Sequence, residues 1–77
     1  MITYHKRAEK FILSQGKHTA LRLYNAIEKI PAGDIKRLQG KKNPPLYRLR
    51  VGDYRVIFYV DDVDIEILEV NNRGDIY

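Results

Sequence analysis

The spacing of apolar residues divides the chain into a helical first half and a strand-rich second half. Ile2, Thr3 and Tyr4 favour a short strand at the start. Apolar residues then recur three or four positions apart over residues 6–15 and again over residues 18–30, which is typical of one face of a helix. Gly16 separates the two stretches, and residues 31–33 end the second. The sequence therefore predicts two antiparallel helices that share an apolar face.

Strand patterning dominates the second half. Residues 47–51, 54–60 and 63–70 are predicted strands, and the turns between them are assigned to Gly52-Asp53 and Asp61-Asp62. Residues 34–46 are expected to be an irregular connector, because prolines 44 and 45 cannot serve in a central ladder. The resulting order, β-α-α-β-β-β, predicts one α+β domain over residues 1–77. In this two-layer fold a helical hairpin packs on an antiparallel sheet, and the first strand pairs with one edge.

The turn at Gly52-Asp53 has a consequence for charge. A two-residue turn pairs Val51 with Tyr54 and therefore Arg50 with Arg55. Two Arg directly opposite each other repel at a cost of about 0.2–1 kcal/mol, and a phosphate would remove that repulsion because Arg binds it with two hydrogen bonds. The sheet face turned away from the helices is expected to carry Arg48, Arg50, Arg55, Ile57 and Tyr59. On the alternative reading this is an ordinary charged face, in which Glu66, expected across from Ile57, absorbs part of the charge.

The distribution of charge supports a polyanionic partner. Residues 36–55 contain seven Lys and Arg and one acid, whereas residues 56–77 contain one Arg and six acids. A basic middle in a chain of net charge +4 indicates RNA, DNA or an acidic protein as partner. A solvated surface with cross-strand salt bridges is the other interpretation. Tyr59 and Tyr77, near the Arg residues, suit stacking on single-stranded RNA bases, although sheet packing also explains Tyr59. The candidate RNA-binding residues are Lys36, Arg37, Lys41, Lys42 and Tyr59.

Composition excludes several classes of protein. The 77 residues include no Cys and two His, which argues against zinc fingers, disulfide scaffolds and thiol enzymes. No apolar run approaches the ~20 residues of a membrane span. No phosphate-binding Gly loop and no Ser-His-Asp set stands out, and His5 and His18 are interpreted as surface or helix-end residues. We expect no metal, no small-molecule cofactor, no membrane contact and a cytoplasmic location.

The block YRLRVGDYRVIF at residues 47–58 resembles the RelE/ParE superfamily of type II toxin–antitoxin toxins, whose fold is similar to that of microbial ribonucleases. The segments IKRLQG at residues 35–40 and NRGDIY at residues 72–77 extend the resemblance over almost the whole chain. It implies a cognate, RelB-like antitoxin as partner, encoded nearby, whose flexible segment wraps the toxin.

The RelE branch of the superfamily implies an activity. Its members are mRNA interferases, endoribonucleases that inhibit translation by cutting mRNA in the ribosomal A site, without a metal, through attack of a 2′-OH on the adjacent phosphate. The catalytic positions that the resemblance implies are Arg48, Arg50, Arg55, Arg73 and Tyr77. Positions 48 and 50 are often Lys in the family. Because Arg stays protonated, this set holds no ready proton acceptor other than a Tyr77 of strongly lowered pKa.

Two other functions remain open on the sequence. ParE-type relatives share the fold but inhibit DNA gyrase by binding it, and they generally lack such a concentration of basic residues. A non-catalytic binding module of the same fold is the third reading. A gyrase inhibitor would block supercoiling and leave mRNA intact.

Overall fold

The computed structural model describes residues 1–38, 40 and 44–72. Its elements, in chain order, are β1 (Ile2–Tyr4), α1 (Lys6–Ser14), α2 (Lys17–Glu28), β2 (Asp34–Arg37), β3 (Tyr47–Val51), β4 (Tyr54–Asp61) and β5 (Asp64–Asn72). The α+β class, the helical hairpin, the initial strand and the three-stranded meander are confirmed. The connector prediction is wrong for residues 34–37, which form β2.

A single sheet contains the strands in the order β1-β5-β4-β3-β2. The first strand occupies an edge, as expected, but it runs parallel to β5, with Ile2 paired to Ile65 and Tyr4 to Ile67. The sheet is therefore mixed rather than antiparallel.

The strand β2 forms next to β3 because its residues alternate in polarity. Ile35 pairs with Leu49 and joins the apolar face, whereas its neighbours Asp34 and Lys36 point to the other face and pair with Arg50 and Arg48. Prolines 44 and 45 lie outside this strand, so they place no restriction on its ladder.

Two tight turns connect the meander. Gly52 has a φ of 60°, in the left-handed region, as the first position of a type II′ turn requires. The predicted pairings Val51–Tyr54 and Arg50–Arg55 are confirmed. The second turn consists of Asp62 and Val63 rather than Asp61-Asp62, since Asp61 pairs with Asp64, and Asp62 has a φ of 60°.

Both helices contribute to a core on one face of the sheet. The largest fully buried side chains are Ile12, Leu23 and Ile27 from the helices and Leu49, Val56 and Ile67 from the sheet. Val60, which alternates onto the same side of β4 as Val56 and Phe58, is 45% exposed. We call the opposite side of the sheet the distal face. Strand pairing places on it Asp34, Lys36, Arg48, Arg50, Arg55, Ile57, Tyr59, Glu66, Glu69 and Asn71.

Candidate functional site

Four cations on three adjacent strands form a basic cluster on the distal face: Lys36 of β2, Arg48 and Arg50 of β3, and Arg55 of β4. The register places like charges directly opposite each other twice, in the pairs Lys36–Arg48 and Arg50–Arg55. Each such pair costs about 0.2–1 kcal/mol. Only the second pair was predictable, because residues 34–37 were expected to be irregular. The structure therefore adds a second like-charge pair to the one that the sequence predicted.

One carboxylate within the cluster offsets part of this repulsion. Asp34 faces Arg50 across the strands, and its Oδ2 lies 3.8 Å from Arg50 Nη1. Its Oδ1 lies 3.9 Å from Arg48 Nη2. Both distances are long for ion pairs, and Asp34 is largely exposed, so each contact contributes little. A single acid shared by two guanidinium groups leaves the cluster net positive.

The side chain of Arg48 is more enclosed than that of its neighbour Arg50. Its side chain is 19% exposed, and its buried Nε has no hydrogen-bond partner among the described residues. Burial restricts the side chain to few rotamers, so its donors are held in place before any ligand binds. A buried donor without a partner favours an incoming acceptor, such as a phosphate oxygen.

Two other residues that the sequence proposes for RNA binding, Tyr59 and Arg37, lie on opposite faces of the sheet. Tyr59 lies on the distal face, two residues along β4 from Ile57. Arg37 pairs with Tyr47 and therefore lies on the helix-facing side of the sheet, away from the basic cluster. The candidates outside the described residues are Lys41, Lys42, Arg73 and Tyr77.

The acidic side chains of β5 do not sit where the alternation of strand residues placed them. The turn at Asp62 and Val63 places Glu66 opposite Tyr59, and one extra residue farther along the strand, Leu68, brings Glu69 opposite Ile57. The expectation that Glu66 lies across from Ile57 is therefore wrong. Glu66 Oε1 is 3.0 Å from Nε2 of His5, the residue that follows β1.

Glu69 is held between two elements. Its Oε1 lies 3.6 Å from Arg7 Nη1 on α1, and Asn71 Nδ2 donates a 3.1 Å hydrogen bond to its Oε2. The segment after β1 thus reaches around the edge of the sheet to the distal face. Sequence reasoning missed His5, Arg7 and Glu69, since the β5 bulge has no clear sequence signal. The prediction that β1 lies at a sheet edge was the one available hint.

These residues surround a concavity of about 410 Å³, here called the distal cavity. Its lining consists of His5, Arg7, Leu46, Ile57, Leu68 and Glu69. Ile57 connects it to the basic cluster, because Ile57 lies directly opposite Arg48 on one side and Glu69 on the other. Cationic, acidic and imidazole groups therefore line one continuous surface.

Neither α1 nor α2 is long and apolar enough to cross a membrane. Within residues 1–38, 40 and 44–72, no group of three or more His, Asp or Glu side chains is arranged to hold a metal ion.

Comparison with known proteins identifies the family. The model of the ParE toxin of the type II toxin–antitoxin system parDE matches residues 2–77. No curated protein matches the chain. A chain of the archaeal RelE–RelB complex from Pyrococcus horikoshii is 33% identical with a TM-score of 0.73, covering 95% of this chain and 93% of that one. A chain of the RelB–RelE complex from Methanococcus jannaschii is 28% identical with a TM-score of 0.76, and the match covers 96% of this chain and 93% of that one. A chain of the RelBE2 complex from Mycobacterium tuberculosis is 15% identical with a TM-score of 0.67, and the match covers 95% of this chain and 96% of that one. At this identity the likeness shows the fold alone. The chain therefore belongs to the ParE toxin family of type II toxin–antitoxin systems, within the RelE/ParE superfamily.

Proposed function

We propose that this toxin is a ribosome-dependent endoribonuclease that cleaves mRNA in the A site. The supporting observation is the basic cluster, in which like charges face each other twice, at Lys36–Arg48 and at Arg50–Arg55. The fold does not require these pairs, and together they lower stability. A phosphodiester backbone bound on the distal face would turn both repulsive pairs into attractive contacts.

Cleavage requires charge stabilisation, which guanidinium groups supply. When the 2′-OH attacks the adjacent phosphate, negative charge builds up on the phosphoryl oxygens. Donors already aimed at those oxygens stabilise the transition state without reorganisation. We assign Arg48 and Arg50 to the RNA backbone and the transition-state charge, and Arg55 to the scissile phosphate. The resemblance adds Arg73 at the scissile phosphate and Tyr77 on a base.

The ribosome would supply the substrate geometry. The distal face offers charge and, at Tyr59, one aromatic ring, so it binds a single strand without encoding a long sequence. The A site presents such a strand with its backbone extended, and Lys36 would add a further phosphate contact. This target places the protein in the cytoplasm.

An antitoxin partner follows from the complexes in which the relatives were solved. The Pyrococcus horikoshii and Methanococcus jannaschii structures are both complexes of RelE with RelB. We propose that a RelB-like antitoxin neutralises this toxin by covering the basic cluster with an acidic segment, since complementary charge favours rapid association. A complex that leaves Arg50 and Arg55 accessible and still cleaves RNA would contradict this arrangement.

A purified translation system tests the proposed activity. New mRNA ends are mapped with and without the toxin, on ribosomes and on naked mRNA. We expect cuts inside A-site codons that are absent on naked mRNA and are lost in Arg55→Ala. Arg37→Ala is the matched control, because it removes an exposed Arg on the helix-facing side of the same sheet. Cleavage by Arg55→Ala at the rate of the unaltered toxin would overturn the role of the basic cluster.

Inhibition of DNA gyrase is the second candidate function. The match of residues 2–77 to the ParE toxin model favours it, because ParE-type toxins inhibit gyrase. A supercoiling assay run beside the translation assay separates the two functions. Blocked supercoiling with intact mRNA supports gyrase as the target and overturns the ribonuclease proposal.

A further inference from the structure

The proposed reaction needs a proton acceptor and a proton donor, and the three Arg of the basic cluster supply neither. Attack by the 2′-OH releases a proton, and departure of the 5′-oxygen requires one. Arg stays protonated at physiological pH, and the carboxylate among these residues, Asp34, is shared between Arg48 and Arg50. Other groups on the same surface are therefore candidates for proton transfer.

Glu69 lies close enough to the cluster to accept the proton. It is directly opposite Ile57, which is directly opposite Arg48, so Arg48 and Glu69 are two strand spacings, or about 10 Å, apart in the backbone. Arg55 is the diagonal neighbour of Glu69, at about 7–8 Å. A phosphate held by both Arg side chains is therefore within reach of the Glu69 carboxylate.

The surroundings of Glu69 orient its carboxylate and leave it room for a further hydrogen bond. Arg7 contacts one oxygen and Asn71 donates to the other, which restricts rotation of the group. Two carboxylate oxygens have about four acceptor positions, so acceptor capacity remains. The side chain is 40% exposed and lines the distal cavity.

His5 lines the same cavity and offers the complementary group. Its Nε2 lies 3.0 Å from Glu66 Oε1, a contact that orients the ring. A protonated imidazole donates from both nitrogens, so Nδ1 remains as a donor that Glu66 does not engage. Acid and base thus occupy one cavity about 410 Å³ in volume, beside the guanidinium groups.

We infer that Glu69 is the general base and His5 the general acid of the cleavage, with Glu66 as the residue that positions His5; this inference rests on the proposed ribonuclease function. Glu69 takes the proton of the 2′-OH as the bond between the 2′-oxygen and phosphorus forms. His5 gives its proton to the 5′-oxygen as the bond from phosphorus to that oxygen breaks. The products are a 2′,3′-cyclic phosphate and a 5′-OH. Glu69 then releases a proton to water, and His5 takes one up.

Single-turnover cleavage on programmed ribosomes tests these roles with two mRNAs. One mRNA is unmodified, and in the other sulfur replaces the bridging 5′-oxygen at the cut, a leaving group that needs no protonation. On unmodified mRNA, Glu69→Gln and His5→Gln are each expected to slow cleavage by ~10²–10⁴-fold. On the sulfur-containing mRNA, His5→Gln is expected to recover nearly the rate of the unaltered toxin, whereas Glu69→Gln stays slow.

Control variants test whether the loss of cleavage is specific to His5 and Glu69. His18→Gln removes the other imidazole, which lies on α2 outside the distal cavity, and Asp64→Asn removes a β5 carboxylate outside it. Both are expected to cleave at the rate of the unaltered toxin. Glu69→Asp retains a carboxylate and is expected to recover part of the activity, which a misfolded variant would not do.

The outcomes of these assays separate the acid–base assignment from the proposed ribonuclease function. Unchanged cleavage of unmodified mRNA by Glu69→Gln or His5→Gln overturns the assigned role of that residue. Failure of sulfur to rescue His5→Gln overturns its role as the acid. If the unaltered toxin does not cut mRNA at all, the proposed function fails and the acid–base assignment fails with it. A different result separates the two claims. If the unaltered toxin cuts mRNA, Arg55→Ala does not, and Glu69→Gln cuts at the unaltered rate, only the assignment of Glu69 fails.

Discussion

Replacement of Lys36 by Gln is expected to stabilise the fold while it slows RNA cleavage. Lys36 is exposed and lies directly opposite Arg48, so the change removes one of the two like-charge cross-strand pairs. Removal of such a pair is expected to raise the free energy of unfolding by about 0.2–1 kcal/mol. For a domain of 60–100 residues, this corresponds to a rise in Tm of roughly 1–8 °C.

The neighbouring residue provides the matched control. Arg37 is exposed on the same strand, but it faces Tyr47 on the other side of the sheet. Arg37→Gln removes the same charge without relieving a cationic pair, so no comparable gain in stability is expected. Denaturant unfolding at low salt measures the difference between the two variants. In about 1 M salt, where the Debye length is about 3 Å, the advantage of Lys36→Gln should shrink.

The cleavage assay completes the test. A charge retained for phosphate binding should contribute to activity and oppose stability, so Lys36→Gln should be more stable and less active than the unaltered toxin. Equal changes in unfolding free energy for Lys36→Gln and Arg37→Gln, or a salt-independent difference between them, would refute the like-charge reasoning. Full cleavage activity in Lys36→Gln would remove Lys36 from the RNA-binding surface.

Three further predictions concern the fold. Burial, with nearby Glu28, raises the pKa of Tyr4 to about 12 from 10, so the folded state holds this proton more tightly than the unfolded chain. Unfolding free energy should therefore fall as pH rises from 10 to 12, and in Tyr4→Phe this loss should be smaller; equal losses would contradict it. Asp62 has a φ of 60°, so Asp62→Gly should stabilise by about 0.5 kcal/mol in denaturant unfolding, and a loss would show that the turn tolerates Asp without strain. Leu23→Ala, at a fully buried position, should cost about 2–5 kcal/mol, whereas Leu21→Ala, 52% exposed, should cost far less; similar losses would contradict the assigned core.

The central part of the site was predictable because one turn controls it. Gly52 permits a two-residue turn, which leaves one register for β3 and β4 and so places Arg50 opposite Arg55. Helical spacing likewise predicted α1 and α2, because their buried residues repeat every three or four positions.

The rest of the site depends on features with weak sequence signals. The strand β2 has four residues and a single apolar one, Ile35, which is too short a pattern to separate from a loop. The extra residue Leu68 shifts the register of β5 by one position and so brings Glu69 opposite Ile57. The contacts of His5 depend on the parallel pairing of β1, which strand alternation does not specify.

The chemical identity of the mRNA ends tests the central claim most directly. Toxin is added to ribosomes programmed with an mRNA that is labelled on both sides of the A-site codon, and the released fragments are analysed by mass spectrometry. The account predicts an upstream fragment ending in a 2′,3′-cyclic phosphate or 3′-phosphate and a downstream fragment starting with a 5′-OH. No cut should occur when the attacking nucleotide lacks its 2′-OH. Intact mRNA, or fragments ending in a 3′-OH with a 5′-phosphate downstream, would contradict it.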